Sequence, residues 1–388
     1  MLSFFTPARR FLKGAVLGLA GLALVACVPS GGGPTISTSK PVPVALLVPK
    51  GSSNSGDAVL AQSLENAAKL AIADLNGVQI DLRVYPTAGD PATAQASAAQ
   101  AVDEGAKIII GPVFAEAANA AAKAVASRNI NVLSFSNNTS IAGGNLFVLG
   151  PTFGNTADRL VSYSRSAGKP RIMVVHSNNA SGAQGKAAID GAISRQGAEP
   201  AGSVSYQFSQ EGVIAAVSQI KLTADSNEVD AIFLTANTSG ALPLMSQLLP
   251  EAGLSPATTQ FIGLTRWDIP SQTLELPGVQ GGWFALPDPN LTQQFQNRYA
   301  QAYGGLPHPI GGLAYDGIAA IGALVKAGKA DALTTGALTQ GAGFQGVNGI
   351  FRLRADGTNE RGLAVATIRD KKVVIIDPAP QKFGGAGL

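Results

Sequence analysis

The chain has 388 residues, with 28 Lys plus Arg against 25 Asp plus Glu, 46% apolar residues and one cysteine. That length gives two domains' worth of core, the small net charge leaves no basic footprint for nucleic acid, and a single thiol excludes an intrachain disulfide. Plentiful glycine and only 6% aromatic residues suit closely packed α/β layers and exclude a disordered or fibrous chain.

The first segment carries Arg9, Arg10 and Lys13, then 13 uncharged residues, 14–26, with no acidic residue before Cys27. A basic n-region, a short apolar h-region and small residues ahead of a cut site predict an export signal. A bilayer-spanning helix needs roughly 20 apolar residues, so this run is too short to stay in the membrane as a span. Leu24-Val25-Ala26-Cys27 stands where a bacterial lipoprotein signal is cut, which makes 1–26 the signal peptide and Cys27 the acylated anchor. Its three basic residues account for the whole excess of +3, leaving 25 charges of each sign. The expectation is a periplasmic protein on a lipid anchor, at the outer membrane rather than the inner. Residues 28–40, rich in Gly, Ser, Pro and Thr, form a tether of roughly 20 Å root-mean-square reach.

From Pro41 onward strands and helices alternate. The apolar run 42–48 predicts a strand buried on both faces. Asp57 is placed to cap a helix in which Leu60, Leu64, Ala67, Ala68 and Ala71 recur at helical spacing. Strand 80–85, helix 91–104, strand 107–110, helix 115–127 and strand 132–135 follow. The same rhythm restarts with strand 172–175, helix 182–196, strand 204–206, helix 211–222, strand 230–234 and helix 240–249. Later come helices 292–303 and 313–325, then a strand pair 363–369 and 371–376 turning at Asp370-Lys371. Two successive βα series predict two doubly wound parallel-sheet lobes with a cleft between them.

Ligands of open α/β sheets bind outside the carboxyl ends of the strands. The candidate cleft residues are therefore Phe114, Ser136, Asn137 and Asn138 from the first lobe, with Ser181, Thr238, Arg266 and Trp267 opposite. Arg266 is the natural contact for an acidic ligand, because a guanidinium pairs bidentately with carboxylates. Catalytic signatures are missing. The two histidines, His176 and His308, are isolated, so no metal-ligand spacing exists. No G-x-S-x-G elbow occurs, and 180–187 departs from a phosphate loop at Ala180 and Ala187. A non-catalytic protein without metal or cofactor is expected.

Ile110-Gly111-Pro112-Val113, Ala314-Tyr315-Asp316-Gly317 and Gly346-Val347-Asn348-Gly349-Ile350-Phe351 resemble type I periplasmic binding proteins of the leucine/isoleucine/valine-binding superfamily, over nearly all of 41–377. Trp267-Asp268, Gly281-Gly282-Trp283-Phe284, Pro287-Asp288-Pro289, Phe295, Arg298-Tyr299, Tyr303-Gly304 and Leu313-Ala314-Tyr315-Asp316 resemble a narrower group, the penicillin-binding-protein activator lipoproteins of the LppC/LpoA type. The resemblance implies two lobes joined by three crossovers, with 41–150 plus 286–341 in the first lobe and 151–285 plus 342–388 in the second. It further implies regulation of a peptidoglycan synthase, a penicillin-binding protein, as partner. The alternative is the solute receptor of an ABC importer for branched-chain amino acids, amides or similar small molecules. Amino-acid binders of the superfamily place a hydroxyl residue where Phe114-Ala115-Glu116 stands here. A free amino acid is therefore a poor fit, and the small-molecule ligand is left unidentified.

Overall fold

The structure is a computed structural model that describes residues 34–37 and 39–383. Cys27, the expected signal peptide and most of the expected tether lie outside the described residues. No helix among the described residues is long and apolar enough to cross a membrane.

The first series runs β1 (Val42–Val48), α1 (Ser55–Asp74), β2 (Ile80–Pro86), α2 (Pro91–Asp103), β3 (Ile108–Ile110), α3 (Ala115–Val125), β4 (Val132–Ser134) and β5 (Leu146–Val148). Its strands form a parallel sheet in the order β2-β1-β3-β4-β5. Successive residues of β1 point to opposite faces, and both faces are covered. Val44, Leu46 and Val48 meet Leu60, Leu64 and Ala68 of α1 on one side. Ala45 and Leu47 meet an alanine face of α2 and α3, including Ala94, Ala98, Ala117 and Ala121, on the other. Small side chains there let the helices lie close on the sheet.

The second series runs α4 (Phe153–Ser166), β6 (Arg171–Ser177), α5 (Ala180–Gln196), β7 (Glu199–Tyr206), α6 (Gln210–Ser226), β8 (Ala231–Leu234), α7 (Leu242–Glu251), β9 (Gln260–Gly263) and β10 (Trp283–Leu286). Here too the layers alternate. Met173 and Val175 face Val213, Ile220 and Met245, while Ile172 and Val174 face Leu160, Ile189 and Ile193. The chain then returns to the first half through α8 (Pro289–Tyr303), α9 (Gly312–Lys326) and α10 (Thr335–Leu338). Phe295, Tyr299, Leu313, Ile318 and Ile321 join the first core.

Next come β11 (Phe344–Gly346), β12 (Gly349–Leu353) and β13 (Asn359–Arg361), a small antiparallel sheet, then β14 (Ala364–Arg369) and β15 (Lys372–Asp377). The last two complete a seven-stranded sheet ordered β15-β14-β10-β9-β8-β6-β7. Asp370 and Lys371 make their hairpin tip, with φ of 50° and 60°, as a two-residue type I′ turn requires.

Two sequence expectations differ from the structure. The third crossing was placed near Gly341, but Phe344, Phe351 and Leu353 are buried in the first core, and the chain enters the second sheet only after Arg361. Gly346 sits in a close-packed corner: a Cβ on it would stand 2.1 Å from Asp316 Oδ1. Asp57 is not the cap of α1. Asn54 is, accepting from the Gly56 amide at 3.1 Å, and Asp57 lies in the first turn beyond it.

Candidate functional site

Topology fixes where the two sheets face each other. The chain leaves the first sheet from the carboxyl end of β5 and leaves the second from the carboxyl end of β10. Both crossings thus depart from the edges where the parallel strands end, so both edges adjoin the crossings. In the first sheet the direction of winding reverses between β1 and β3, and in the second between β6 and β8. Such switch points open the crevices that hold ligands in α/β sheets.

At the first switch point, Gly111 has φ +85°, and a Cβ on it would stand 2.2 Å from Leu47 O. Only glycine lets the ends of β1 and β3 approach this closely. Phe114 follows as the residue before α3, without a side-chain cap for that helix, and is 38% exposed. Its ring reaches back over the loop after β2: the point where a Gly89 Cβ would stand is 3.1 Å from Phe114 Cε2 and 3.7 Å from Asp57 Oδ2. Asp57 is 8% exposed, and its Oδ1 accepts only a long bond, 3.4 Å, from Asn54 Nδ2. A ring and a carboxylate therefore share one corner. Sequence reasoning treated Asp57 as a cap alone; its position just past the end of β1 was the available signal.

Ser136 and Asn138 are spent on local structure. Ser136 is buried, and its hydroxyl accepts from the Asn138 amide at 3.1 Å, while Asn138 Oδ1 accepts from the Ser140 amide at 2.9 Å. Asn137 is exposed between them. The Ser136 carbonyl also accepts from the Gly150 amide at 3.1 Å, which ties this loop to the first crossing.

In the second half, Asn179 caps α5 through the Gly182 amide at 2.9 Å, and Ser209 caps α6 through the Gly212 amide at 3.0 Å. Ser181 is exposed in the first turn of α5. Thr238 is half-buried and shares a 2.8 Å hydroxyl contact with buried Thr273. Two expected cleft residues are corrected. Trp267 is fully buried, its ring filling the space over Gly263 and Gly282, where added Cβ atoms would stand 2.3 and 2.4 Å from it. Arg266 Nε donates to Asp268 Oδ1 at 2.8 Å and its Nη2 donates to Oδ2, so the fork is already filled by a carboxylate.

Sequence reasoning missed the apolar residues of this edge. Phe208, just before the α6 cap, is 60% exposed, and Ile269 is 49% exposed. Phe208, Ser209, Ser239, Gly240 and Pro243 line a cavity of ≈ 380 Å³ between the starts of α6 and α7. A large aromatic placed at the end of a strand, directly before a serine cap, was the usable signal. Among the described residues no group of His, Cys, Asp and Glu could hold a metal ion. His176 Nδ1 lies 3.0 Å from the Ser177 carbonyl, and burial pushes the His308 ring below its usual range.

Two doubly wound halves, hinged by three crossings with polar and aromatic strand ends between them, define the two-lobed α/β binding-protein class. The chain belongs to the periplasmic binding protein family, whose sequence profile matches residues 41–372; the family implies a periplasmic location. No curated protein matches the sequence. Solved structures share the fold. One from Rhodospirillum rubrum, provisionally described as a branched-chain amino acid ABC transporter, superposes with a TM-score of 0.73 at 16% identity, over 87% of this chain and 100% of that one. A branched-chain amino acid ABC transporter periplasmic ligand-binding protein from Burkholderia xenovorans gives 0.65 at 19% identity, over 87% and 96%. An ABC transporter substrate-binding protein from Desulfitobacterium hafniense, in complex with Leu, gives 0.63 at 17% identity, over 87% and 100%.

Proposed function

We propose that this protein is a non-catalytic solute receptor of an ABC importer, which closes its two lobes on a small molecule. The observation that carries this role is the pair of switch points, one in each sheet, at carboxyl edges that adjoin a shared hinge. The fold-level likeness to transporter binding proteins supports it. Closure follows from linkage: a ligand that touches both strand-end edges binds the closed arrangement better and shifts the population toward it. The Leu24-Val25-Ala26-Cys27 run supports acylation at Cys27, with the globule held near a membrane by its tether.

The test is a thermal-shift screen of the purified protein against amino acids, amides, aromatic acids and amines, paired with small-angle scattering. A cognate solute at 100 times its dissociation constant adds about 2.7 kcal/mol of stability, and the radius of gyration falls. A screen in which no class of compound stabilises the protein or compacts it overturns the role.

Regulation of a peptidoglycan synthase is the second reading, supported by the ordered series from Trp267 to Asp316. Trp267, Phe284, Phe295, Tyr299 and Asp316 of that series are all buried. Packing therefore accounts for them without a docking partner, which ranks this role below the receptor. Co-purification of a penicillin-binding protein with the envelope-extracted chain would reverse the order.

A further inference from the structure

We infer that the corner formed by Asp57 and Phe114 selects an organic cation, a primary amine or quaternary ammonium on an apolar body that carries no carboxylate. This names the ligand class of the cleft and so rests on the receptor role proposed above.

Three features of this corner converge. Asp57 is more than nine-tenths buried, its Oδ2 has no hydrogen-bond partner among the described residues, and that oxygen lies on the same side of Gly89 as the Phe114 ring. A mostly buried carboxylate with one oxygen unbonded and still open to solvent favours a charged donor, and a half-exposed ring beside it attracts the same charge through its face. An ammonium is the group that satisfies both.

The surrounding charge points the same way. Among the described residues, Asp57, Asp90 and Glu116 stand around the first edge with Lys50, and at the second edge Arg266 is already paired with Asp268. Asp90 is held below the usual carboxylate range by its bonds from Thr93, so it stays ionised. A carboxylate ligand would meet three carboxylates against one ammonium, Lys50, and no open guanidinium. The body of the ligand finds apolar cover in Phe208 and Ile269 on the facing edge.

The experiment measures binding of matched probes to the purified protein by calorimetry and thermal shift: phenethylamine, isoamylamine and choline, against 3-phenylpropionate, isovalerate and leucine. Saturable binding is expected for at least one cation and for none of the carboxylates. D57N should weaken cation binding about 10- to 100-fold, as expected for loss of a charge-assisted bond, and F114A by a smaller factor. D57E, which keeps the charge, should retain part of the affinity. Unchanged thermal midpoints of the unliganded variants show that the first turn of α1 survives. If a carboxylate or neutral probe binds and D57N does not alter it, the cation assignment is overturned while the receptor role stands. If no probe binds here and the broad screen is also silent, both fall.

Discussion

Arg361 and Asp316 form an ion pair at 3.1 Å in which the side chains are 2% and 0% exposed. Asp316, on α9, also accepts from the Val347 amide at 2.8 Å and from Asn348 Nδ2 at 3.2 Å. Arg361, at the third crossing, donates through Nε to the Leu149 carbonyl at the first crossing, 3.1 Å away. Its guanidinium carbon lies 5.1 Å from the centre of the Phe351 ring. The pair thus fastens two of the three crossings to the first core.

Removing one partner leaves the other charge buried and unpaired. D316L or R361M alone is expected to lower stability by about 3–5 kcal/mol, whereas the two combined should cost less than the singles added together. Urea unfolding of the four proteins measures this. A loss under about 1 kcal/mol for either single variant would show that water, not the partner, solvates the remaining charge.

The same pair explains what was legible. Ala314-Tyr315-Asp316-Gly317 and Gly346-Val347-Asn348-Gly349 stand out in the sequence as separate motifs; in space they are the two sides of one hydrogen-bonded corner, with Gly346 small because Asp316 Oδ1 occupies its Cβ position. Strands such as β1 and helices such as α2 could be read because their apolar spacing is regular and their ends carry Gly, Asn or Asp. Helix α4 escaped because it is polar on most of its surface, although Thr152 and Asn155 spell a reciprocal cap. Strands β9 and β10, four residues each, are joined by 3-10 turns and not by a helix, so the strand–helix rhythm that reveals the equally short β8 breaks off there. In the cleft, chain order could bring Phe114, Ser136 and Thr238 to strand ends. It could not show that Trp267 turns inward or that Arg266 folds back on Asp268, since both depend on side-chain direction.

Gly111 tests the first switch point. With φ +85° and the Leu47 carbonyl 2.2 Å from any Cβ, G111A must move the backbone of β1 itself. A loss of about 3 kcal/mol or more is expected. Gly341, exposed and with nothing within 4 Å of its Cβ position, is the control: G341A should change stability by less than about 0.5 kcal/mol. Equal unfolding midpoints for the two variants would contradict the close approach.

Asp74, Arg298 and Tyr315 link α1, α8 and α9 on the outer face of the first half. Burial alone would raise the Asp74 pKa, but hydrogen bonds from Arg298 and Tyr315 outweigh it and hold it below the usual 3.8. The stabilisation is therefore complete above that value and is lost as pH falls through the depressed one. D74N should cost about 0.5–1 kcal/mol at pH 7, as a partly exposed pair does, and the gap should close in acid below pH 3.8. Tyr315 is pushed up to about 12, first by burial and then by its bond to Asp74. Its contribution is full below the unfolded value of 10 and fades as pH climbs toward 12, so Y315F should flatten the alkaline limb. Parallel pH–stability curves for wild type and D74N would break this assignment.

Phe114 is the position where stability and recognition separate. It precedes α3 without capping it, so F114S would supply the missing acceptor for an amide of the first turn, worth about 1 kcal/mol. Against that gain stands the loss of the ring's contact at Gly89, which is modest because the side chain is more than one-third exposed. At about 25 cal/mol per Å² of apolar surface, a partly buried ring contributes on the order of 1–2 kcal/mol. The two effects nearly cancel, and F114S is expected to unfold within about 1 kcal/mol of wild type in urea. A ring that stability does not require, half-open beside the Asp57 carboxylate, is what the ligand contact proposed above calls for. A loss of more than about 2 kcal/mol in F114S would instead make the ring a packing residue of the first lobe.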